Sequence, residues 1–453
     1  MSRDLISNRL AKAILAGRPD AASVRARVQK VLQVRGSWTA SLAQRYEAQF
    51  AGKIRPRLRD VLKFLRNDPG YLGARAKYGS QWSSASQVFA AISTNLSQPM
   101  QPHPAAAEWA LPAIMSMGDL QRWLHLTPEE LAWFANRHRQ SRVKPPALEH
   151  YNYAVIAKRN GEMRLLEAPK QHLKLLQQTI LRDILDRIPV HEAAHGFRKS
   201  RSIRSFAAPH AGKAVVLRMD IQNFFPSIRA PRVDAFFRTA GYPEAVAETL
   251  AALCTNVVPR SVWMDAMRGR EPMALESAAL LRADYEELYA RRHLPQGAST
   301  SPALANLCAY RLDCRLNGLA KASGATYTRY ADDLAFSGDR VFARGITQFA
   351  DRVGAILLEE DFRAHYRKTR VMRAGARQSL AGLIVNKHPN IARSYFDELK
   401  AILTNCVCHG PETQNRENLA AWQSHLSGRI NFVESIHPAR GAKLRAIYRR
   451  IHW

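Results

Sequence analysis

The stretch Thr326 to Gly338, TYTRYADDLAFSG, sets two aspartates, Asp332 and Asp333, side by side between two apolar, aromatic-rich runs. Adjacent like charges beside hydrophobic runs cost free energy, so the fold has to compensate them. Tyr327 to Tyr330 suits a strand, and so does Leu334 to Ser337. Ala331-Asp332-Asp333 then forms a tight hairpin tip, expected to lift the carboxylates out of their apolar flanks. Alternation along a strand aims neighbouring side chains apart, so the two aspartates need not share one role. Crowded carboxylates stay ionised when a divalent cation neutralises them, and hard oxygen donors suit Mg²⁺. Aspartate is also common in plain turns. A third carboxylate at another strand end separates the two readings.

Asp220 is that candidate. It ends AVVLRM (Ala214 to Met219), a short apolar run that reads as a buried strand, and IQNFFPSI follows it. Three carboxylates from two segments would complete a clamp for two metal ions roughly 3.5–4 Å apart. One ion would lower the pKa of an attacking 3′-hydroxyl. The other would hold a triphosphate and the leaving pyrophosphate.

The rest of the sequence bounds the partner. The chain has 453 residues, 46% of them hydrophobic, which fits a globular protein of two or three domains. Its 67 lysines and arginines outnumber 38 acidic residues, for a net charge of +29. A surplus of that size points to a polyanion: nucleic acid first, an anionic membrane surface second, a merely basic surface as the bland reading. Five cysteines (Cys254, Cys308, Cys314, Cys406, Cys408) are an odd number in a long chain, which argues for a reducing, cytoplasmic compartment. Cys406-Val407-Cys408-His409 is half a metal site with no second half. No apolar run approaches a membrane span, so no membrane partner is expected. The start, MSRDLISNRLAKAILAGR, lacks a secretory core and reads as a basic helix, with a transit peptide as the alternative.

Along the chain, residues 1–96 read as a basic helical extension; its first 80 residues carry 17 Lys/Arg against 5 Asp/Glu. A linker at 97–118 contains the helix-breaking SQPMQPHP (Ser97 to Pro104). Thr127, Pro128 and Glu130 predict a capped helix start. Tyr153 to Glu167 reads as two strands around Asn160-Gly161, and HLKLLQQTILRDILDRI as a helix burying Leu173, Leu176, Ile180 and Ile184. Residues 262–292 look like a charged helical insertion, and Ala303 to Leu316 like one helix. Residues 393–453 read as a terminal helical subdomain.

RYADDLAFSG resembles the YxDD box of reverse transcriptases. VVLRMDIQNFFPSI resembles their first catalytic-aspartate motif, and LPQGASTSPALANL (Leu294 to Leu307) their LPQG and SPxLxN motifs, in the family's order. HGFRKSRSI (His195 to Ile203), Lys368 to Arg370 and AGLIVNKHPNIAR (Ala381 to Arg393) narrow the similarity to retron-type bacterial enzymes. The resemblance covers roughly residues 120–453. It implies an α+β right-hand polymerase, with fingers and a palm with a small antiparallel sheet at 119–392, a helical thumb at 393–453, and the basic helical domain added in front. It implies an RNA-directed DNA polymerase that copies a structured non-coding RNA into cDNA from dNTPs, with two Mg²⁺ ions or Mn²⁺ in their place, and an effector protein as a further partner.

By position, Asp220, Asp332 and Asp333 match the catalytic metal-binding triad, with the Ile221 carbonyl as an extra ligand. Phe225 matches the steric gate against a ribose 2′-OH, with Phe224 as the alternative and plain core packing as the bland reading. Gln296 and Gly297 match the loop against the incoming nucleotide. Arg164 matches a fingers residue on the triphosphate, and Lys368 a lysine near the leaving pyrophosphate; each would otherwise be an ordinary basic surface residue. Gly382 and Leu383 fall at the primer grip. Two positions depart from the retron pattern: Phe206 stands where Asn precedes Ala-x-x-His210, and Leu380-Ala381-Gly382 replaces Val-Thr-Gly. A related phage-defence reverse transcriptase is therefore an alternative reading. Two rivals come from other classes. His191-Glu192-Ala193-Ala194-His195 fits the HExxH zinc-protease pattern, which needs a helix. A non-catalytic RNA-binding protein would lack a complete triad.

Overall fold

A computed structural model describes residues 3–15, 19–32, 34, 36–51, 56–84, 100–135, 149–157, 163–263 and 285–453. They form two compact units, Met1–Pro189 with Ile228–Leu304, and Val190–Ser227 with Ala305–Trp453.

The first unit opens with helices Arg3–Leu15, Ala21–Leu32, Trp38–Gln49, Leu58–Asn67 and Pro69–Ser84. Their apolar stripes close on one another: Leu10, Ile14, Val28, Leu42, Val61, Leu65 and Trp82 share one buried cluster drawn only from this segment. In Leu58–Asn67 the helical period puts Val61, Phe64 and Leu65 inside and leaves Arg59, Lys63 and Arg66 outside. Residues 97–99 of the expected linker lie outside the described residues. Its described part is strapped down, Gln101 N donating to Gly241 O (3.1 Å) and His103 N to Thr239 O (3.0 Å).

Helix Pro128–Ala135 starts with the expected capping box: Glu130 N donates to Thr127 Oγ1 (3.2 Å) and Thr127 N to Glu130 Oε2 (2.8 Å). Strands β1 (Tyr151–Ala157) and β2 (Met163–Pro169) pair antiparallel. The Asn160-Gly161 turn between them lies outside the described residues. Helix Gln171–Asp183 buries Leu173, Gln177 and Ile180, with Leu176 only half-buried. Most of the insertion, residues 264–284, is also outside the described residues. Its described ends, Trp263, Tyr285 and Tyr289, pack with Leu165 of β2.

The second unit holds a four-stranded antiparallel sheet of β3 (Val215–Asp220), β4 (Thr326–Tyr330), β5 (Asp333–Gly338) and β6 (Arg370–Arg373), ordered β4-β5-β3-β6. Both faces are covered, which is why β3 is apolar almost throughout. On one face Val216 and Ala335 join a core with Leu380, Leu399, Leu426 and Ile430. On the other, Phe336 stacks on Tyr327 at 4.9 Å and meets Phe349 edge-on at 5.1 Å. A small sheet follows, β7 (Ser379–Leu380), β8 (Leu383–Ile384) and β9 (Asn390–Ile391), then helices Arg393–His409, Trp422–Ile436 and Pro438–Tyr448.

The single helix expected over Ala303–Leu316 is two, Ser301–Cys308 and Tyr310–Ala322, broken at Ala309 (φ −86°, ψ 2°). On the second helix Asp313 is buried, where Arg329 holds it. The architecture is mixed α+β with small antiparallel sheets. Among the described residues no helix is long and apolar enough to cross a membrane.

Candidate active site

Register brings the three aspartates together. Asp220 ends β3 directly opposite Asp333, the first residue of β5, which in an antiparallel ladder is roughly 4.5–5.5 Å between Cα atoms. Tyr330 of β4 pairs with the same Asp333, so Ala331-Asp332 is a two-residue hairpin loop. Ala331 takes φ +56°, a strained setting for a residue with a Cβ. Both loop carbonyls are held: Arg329 Nη1 donates to Ala331 O (3.1 Å) and Ile221 N donates to Asp332 O (2.9 Å). The second bond ties the tip to the strand end that carries Asp220.

The tip does not stand clear of its apolar flanks. Ala331 is buried, Asp332 and Asp333 are partly exposed, and Asp220 is 5% exposed. Desolvation therefore disfavours the charged form of Asp332 and Asp333. Burial, then the charges of Asp220 and Asp333, push the Asp332 carboxyl up to about 6. Burial raises Asp333 too, against the pull of Arg218. Arg218 donates to Asp333 Oδ1 from Nε (2.9 Å) and Nη2 (2.6 Å), and Lys368 Nζ lies 3.0 Å from Asp220 Oδ1.

Three carboxylates brought together at one strand end, two of them pushed towards the neutral form by burial, are a donor set that fits a hard divalent ion. Two of them are turned onto Lys368 and Arg218. Among the described residues no trio of His, Cys, Asp or Glu already rings a common point as a finished site.

A buried network that sequence reading did not single out supports the tip. Arg329 is 0% exposed on β4 and pairs with Asp313 through Nε (2.7 Å) and Nη2 (2.6 Å). Tyr327 and Asn306 join it. The available signal was a charged residue inside an apolar strand. Gly196 of the HGF element lies so close that a Cβ there would sit 2.6 Å from Ala331 N. His210 bridges Ser337 Oγ and Thr328 Oγ1, 2.7 Å from each, across β5 and β4.

Phe224 is core, 4% exposed, packed on Phe362 (5.7 Å) with the Arg329 guanidinium 5.6 Å from its ring. Phe225 is only half-buried and meets Phe197 at 5.9 Å. Gly382 (φ +83°) and Ala381 (φ +46°) make the β7–β8 turn, and Leu383 is buried.

Arg164, Gln296 and Gly297 belong to the first unit. Arg164 is exposed on β2. The loop Gln296-Gly297 packs on that strand, Glu167 N donating to Gln296 O (2.8 Å); Gly297 at φ +127° leaves no room for a side chain, since its Cβ would meet Glu167 O at 3.0 Å. Beneath it lies another unforeseen network: His293 Nε2 is 2.9 Å from Glu167 Oε1, both fully buried, and Asn256 Nδ2 donates to Glu167 Oε2 (2.8 Å) and Tyr153 OH (3.1 Å).

The zinc-protease reading fails here. Residues 191–195 form turns and an isolated bridge, not a helix, so the two histidines are not presented from one helical face. His195 instead meets Ser205 Oγ at 2.9 Å.

Comparison with known proteins agrees with this geometry. A family model described as reverse transcriptase (RNA-dependent DNA polymerase) matches residues 156–400. The chain is 34% identical over 401 residues to the retron Mx65 reverse transcriptase of Myxococcus xanthus, covering 87% of this chain and 86% of that one. It is 35% identical over 336 residues to the retron Mx162 reverse transcriptase of the same organism, covering 71% and 64%. The retron Ec86 reverse transcriptase of Escherichia coli is 29% identical over 279 residues, covering 61% and 75%. With the catalytic-motif residues side by side on one small sheet and these relatives spanning most of its length, the chain belongs to the reverse transcriptase family, as a retron-type RNA-directed DNA polymerase.

Proposed function

We propose that this polymerase copies a self-encoded structured non-coding RNA into cDNA, that its product is the branched RNA–DNA molecule of retrons (msDNA), and that it serves antiphage defence beside an effector protein. Template RNA and dNTPs follow from the family. The likeness to retron reverse transcriptases supports the retron template and product.

Asp220, Asp332 and Asp333, with the Ile221 carbonyl, would hold two Mg²⁺ ions, Mn²⁺ substituting. When bound, such ions activate a 3′-hydroxyl and neutralise the charge of the leaving pyrophosphate. The residues of the chain do the rest. Lys368 keeps an ammonium at Asp220, where a departing phosphate would take it up. Arg218 keeps Asp333 oriented. Phe225, the less buried of the two phenylalanines, presents its ring to the sugar and excludes a 2′-OH. Arg164 offers a forked donor to the triphosphate, Gln296 and Gly297 shape the nucleotide loop, and Gly382 with Leu383 forms the primer grip. Fingers and palm fall within 119–392, the thumb is 393–453, and 1–96 is an added basic domain joined through 97–118.

One observation carries the reading: Asp220 and Asp333 are cross-strand neighbours with Asp332 at the adjoining tip. Primer extension on RNA tests it. Incorporation should require Mg²⁺ or Mn²⁺, and Asp332→Ala or Asp333→Ala should lose about 10³-fold or more, matching several kcal/mol of charge stabilisation. Full activity in either variant would end the assignment. Sequencing the nucleic acid that co-purifies from cells tests the retron part. A heterogeneous RNA pool without a branched product would remove that part and leave the polymerase.

A further inference from the structure

Asn306 is the asparagine of SPALAN, on helix Ser301–Cys308, and it is 1% exposed. Its amide is used at both ends. Oδ1 accepts from Arg329 Nη1 at 3.0 Å, and Nδ2 donates to Gly196 O at 2.8 Å. This orientation is forced. A guanidinium only donates and a carbonyl only accepts, so a flipped amide would face donor to donor and acceptor to acceptor.

Each end leads to a different part of the site. On the Oδ1 side, Arg329 spends one N–H of Nε and one of Nη2 on Asp313, and those of Nη1 on Asn306 and on Ala331 O. Four of the five guanidinium donors are thereby used, and Tyr327 also meets the group. Asn306 therefore fixes how the guanidinium is turned in the plane of its Asp313 pair, and the guanidinium fixes the left-handed Ala331 that precedes the catalytic aspartates. On the Nδ2 side, Gly196 is the residue before Phe197. Phe197 has φ +58° and is 49% exposed, its ring packed 5.9 Å from Phe225 and 6.4 Å from Tyr330. An aromatic ring that remains this exposed gains little by burial. Its position behind Phe225 is its distinguishing feature.

We propose that Asn306 is a positioning residue that sets two parts of the active site at once. It sets the carboxylate tip through Arg329. Through Gly196 it sets Phe197, which backs the ring of Phe225 and so determines how strictly a deoxyribose is selected over a ribose. The second arm rests on Phe225 being the steric gate.

The two arms separate by substitution. Asn306→Asp keeps the acceptor for Arg329 and replaces the donor with an oxygen facing Gly196 O. Asn306→Ala removes both arms. The measurement is steady-state incorporation of dATP against ATP by the full chain on primed poly(U) RNA with Mg²⁺, corrected by active-site titration for the fraction of competent enzyme. Asn306→Ala should lower kcat about tenfold or more, with KM for dATP within about threefold of the original. It should also reduce the dATP-over-ATP preference by about fivefold or more. Asn306→Asp should relax the preference similarly and lower kcat less than Asn306→Ala does. Phe197→Ala should relax the preference as well.

A merely structural asparagine would change the competent fraction and leave kcat per competent site and the sugar preference where they were. That outcome overturns the proposal. If Asn306→Ala does not fold, Asn306→Asp and Phe197→Ala carry the test, and an unchanged preference in both overturns it. Phe225→Ala is the separate control. An undiminished preference there removes the gate reading, while the kcat arm of Asn306 stands or falls on its own.

Discussion

His210 packs against the β4–β5 hairpin, and its protonation state follows from its partners. Thr328 Oγ1 donates its one proton to Phe206 O (3.0 Å), so it accepts from His210 Nε2, and Ser337 Oγ donates to Nδ1. The imidazole is therefore neutral, and burial with the nearby His195 pushes its pKa down to about 3. An unfolded histidine titrates near 6.5. Between those values the unfolded chain binds more protons, so stability present above about 6.5 is lost as pH falls towards 3, by at most about 1.4 kcal/mol per pH unit. Melting temperatures at pH 7.5 and 5 check this. His210→Gln should be less stable at pH 7.5 and lose less on acidification; parallel curves for the two proteins would refute the assignment. Asp332 shows the opposite tension, with its carboxyl held near 6 in a place chosen for charge. That pattern is expected where a site serves chemistry and not stability.

At the scale of elements, the hairpin β4–β5 is placed by what approaches it. Gly196 lets the HGF turn pass within van der Waals reach of Ala331, and a methyl there would stand 2.6 Å from a backbone nitrogen. Gly196→Ala should destabilise the fold by about 1–3 kcal/mol, as overpacking does. It should also lower kcat by about tenfold by displacing the tip. Thermal melts and primer extension check both, and a variant with normal stability and rate would show that the turn has slack. The strands themselves were legible because apolar alternation and a terminal carboxylate are local signals: β3 ends at Asp220, and β5 begins at Asp333. The break at Ala309 was not legible. Nor was the burial of Asp313 just after it, which pairs with Arg329 sixteen residues further on and which helical periodicity cannot report.

For the whole molecule, a net charge of +29 dictates the physics of association. Binding of a primed RNA should release counterions, and affinity should fall by about 10³-fold between 50 and 200 mM salt if six or more phosphates are met. A flat salt response in a binding titration would exclude a basic nucleic-acid groove. The N-terminal helices bury their own apolar cluster and leave Arg59, Lys63 and Arg66 outside. Removing residues 1–100 should therefore weaken binding of the co-purifying RNA by about tenfold while residual incorporation on a simple primed template persists. Unchanged RNA affinity would take the extension out of RNA recognition.

Sequence alone determined the family: the order of the motifs, the three aspartates within them and the basic surplus are properties of residue type and spacing. Those signals survive without a fold because paired carboxylates at strand ends permit so few alternatives. Tertiary structure decided the rest. Only pairing across β3 and β5 could put Asp220 opposite Asp333. Only packing could make Phe224 core and leave Phe225 half-exposed. Only burial could turn Arg329, Asp313, Asn306 and His210 from polar residues with no assigned role into the frame of the site. A buried polar group is specified by its partners, and partners distant in the chain are known only once it has folded.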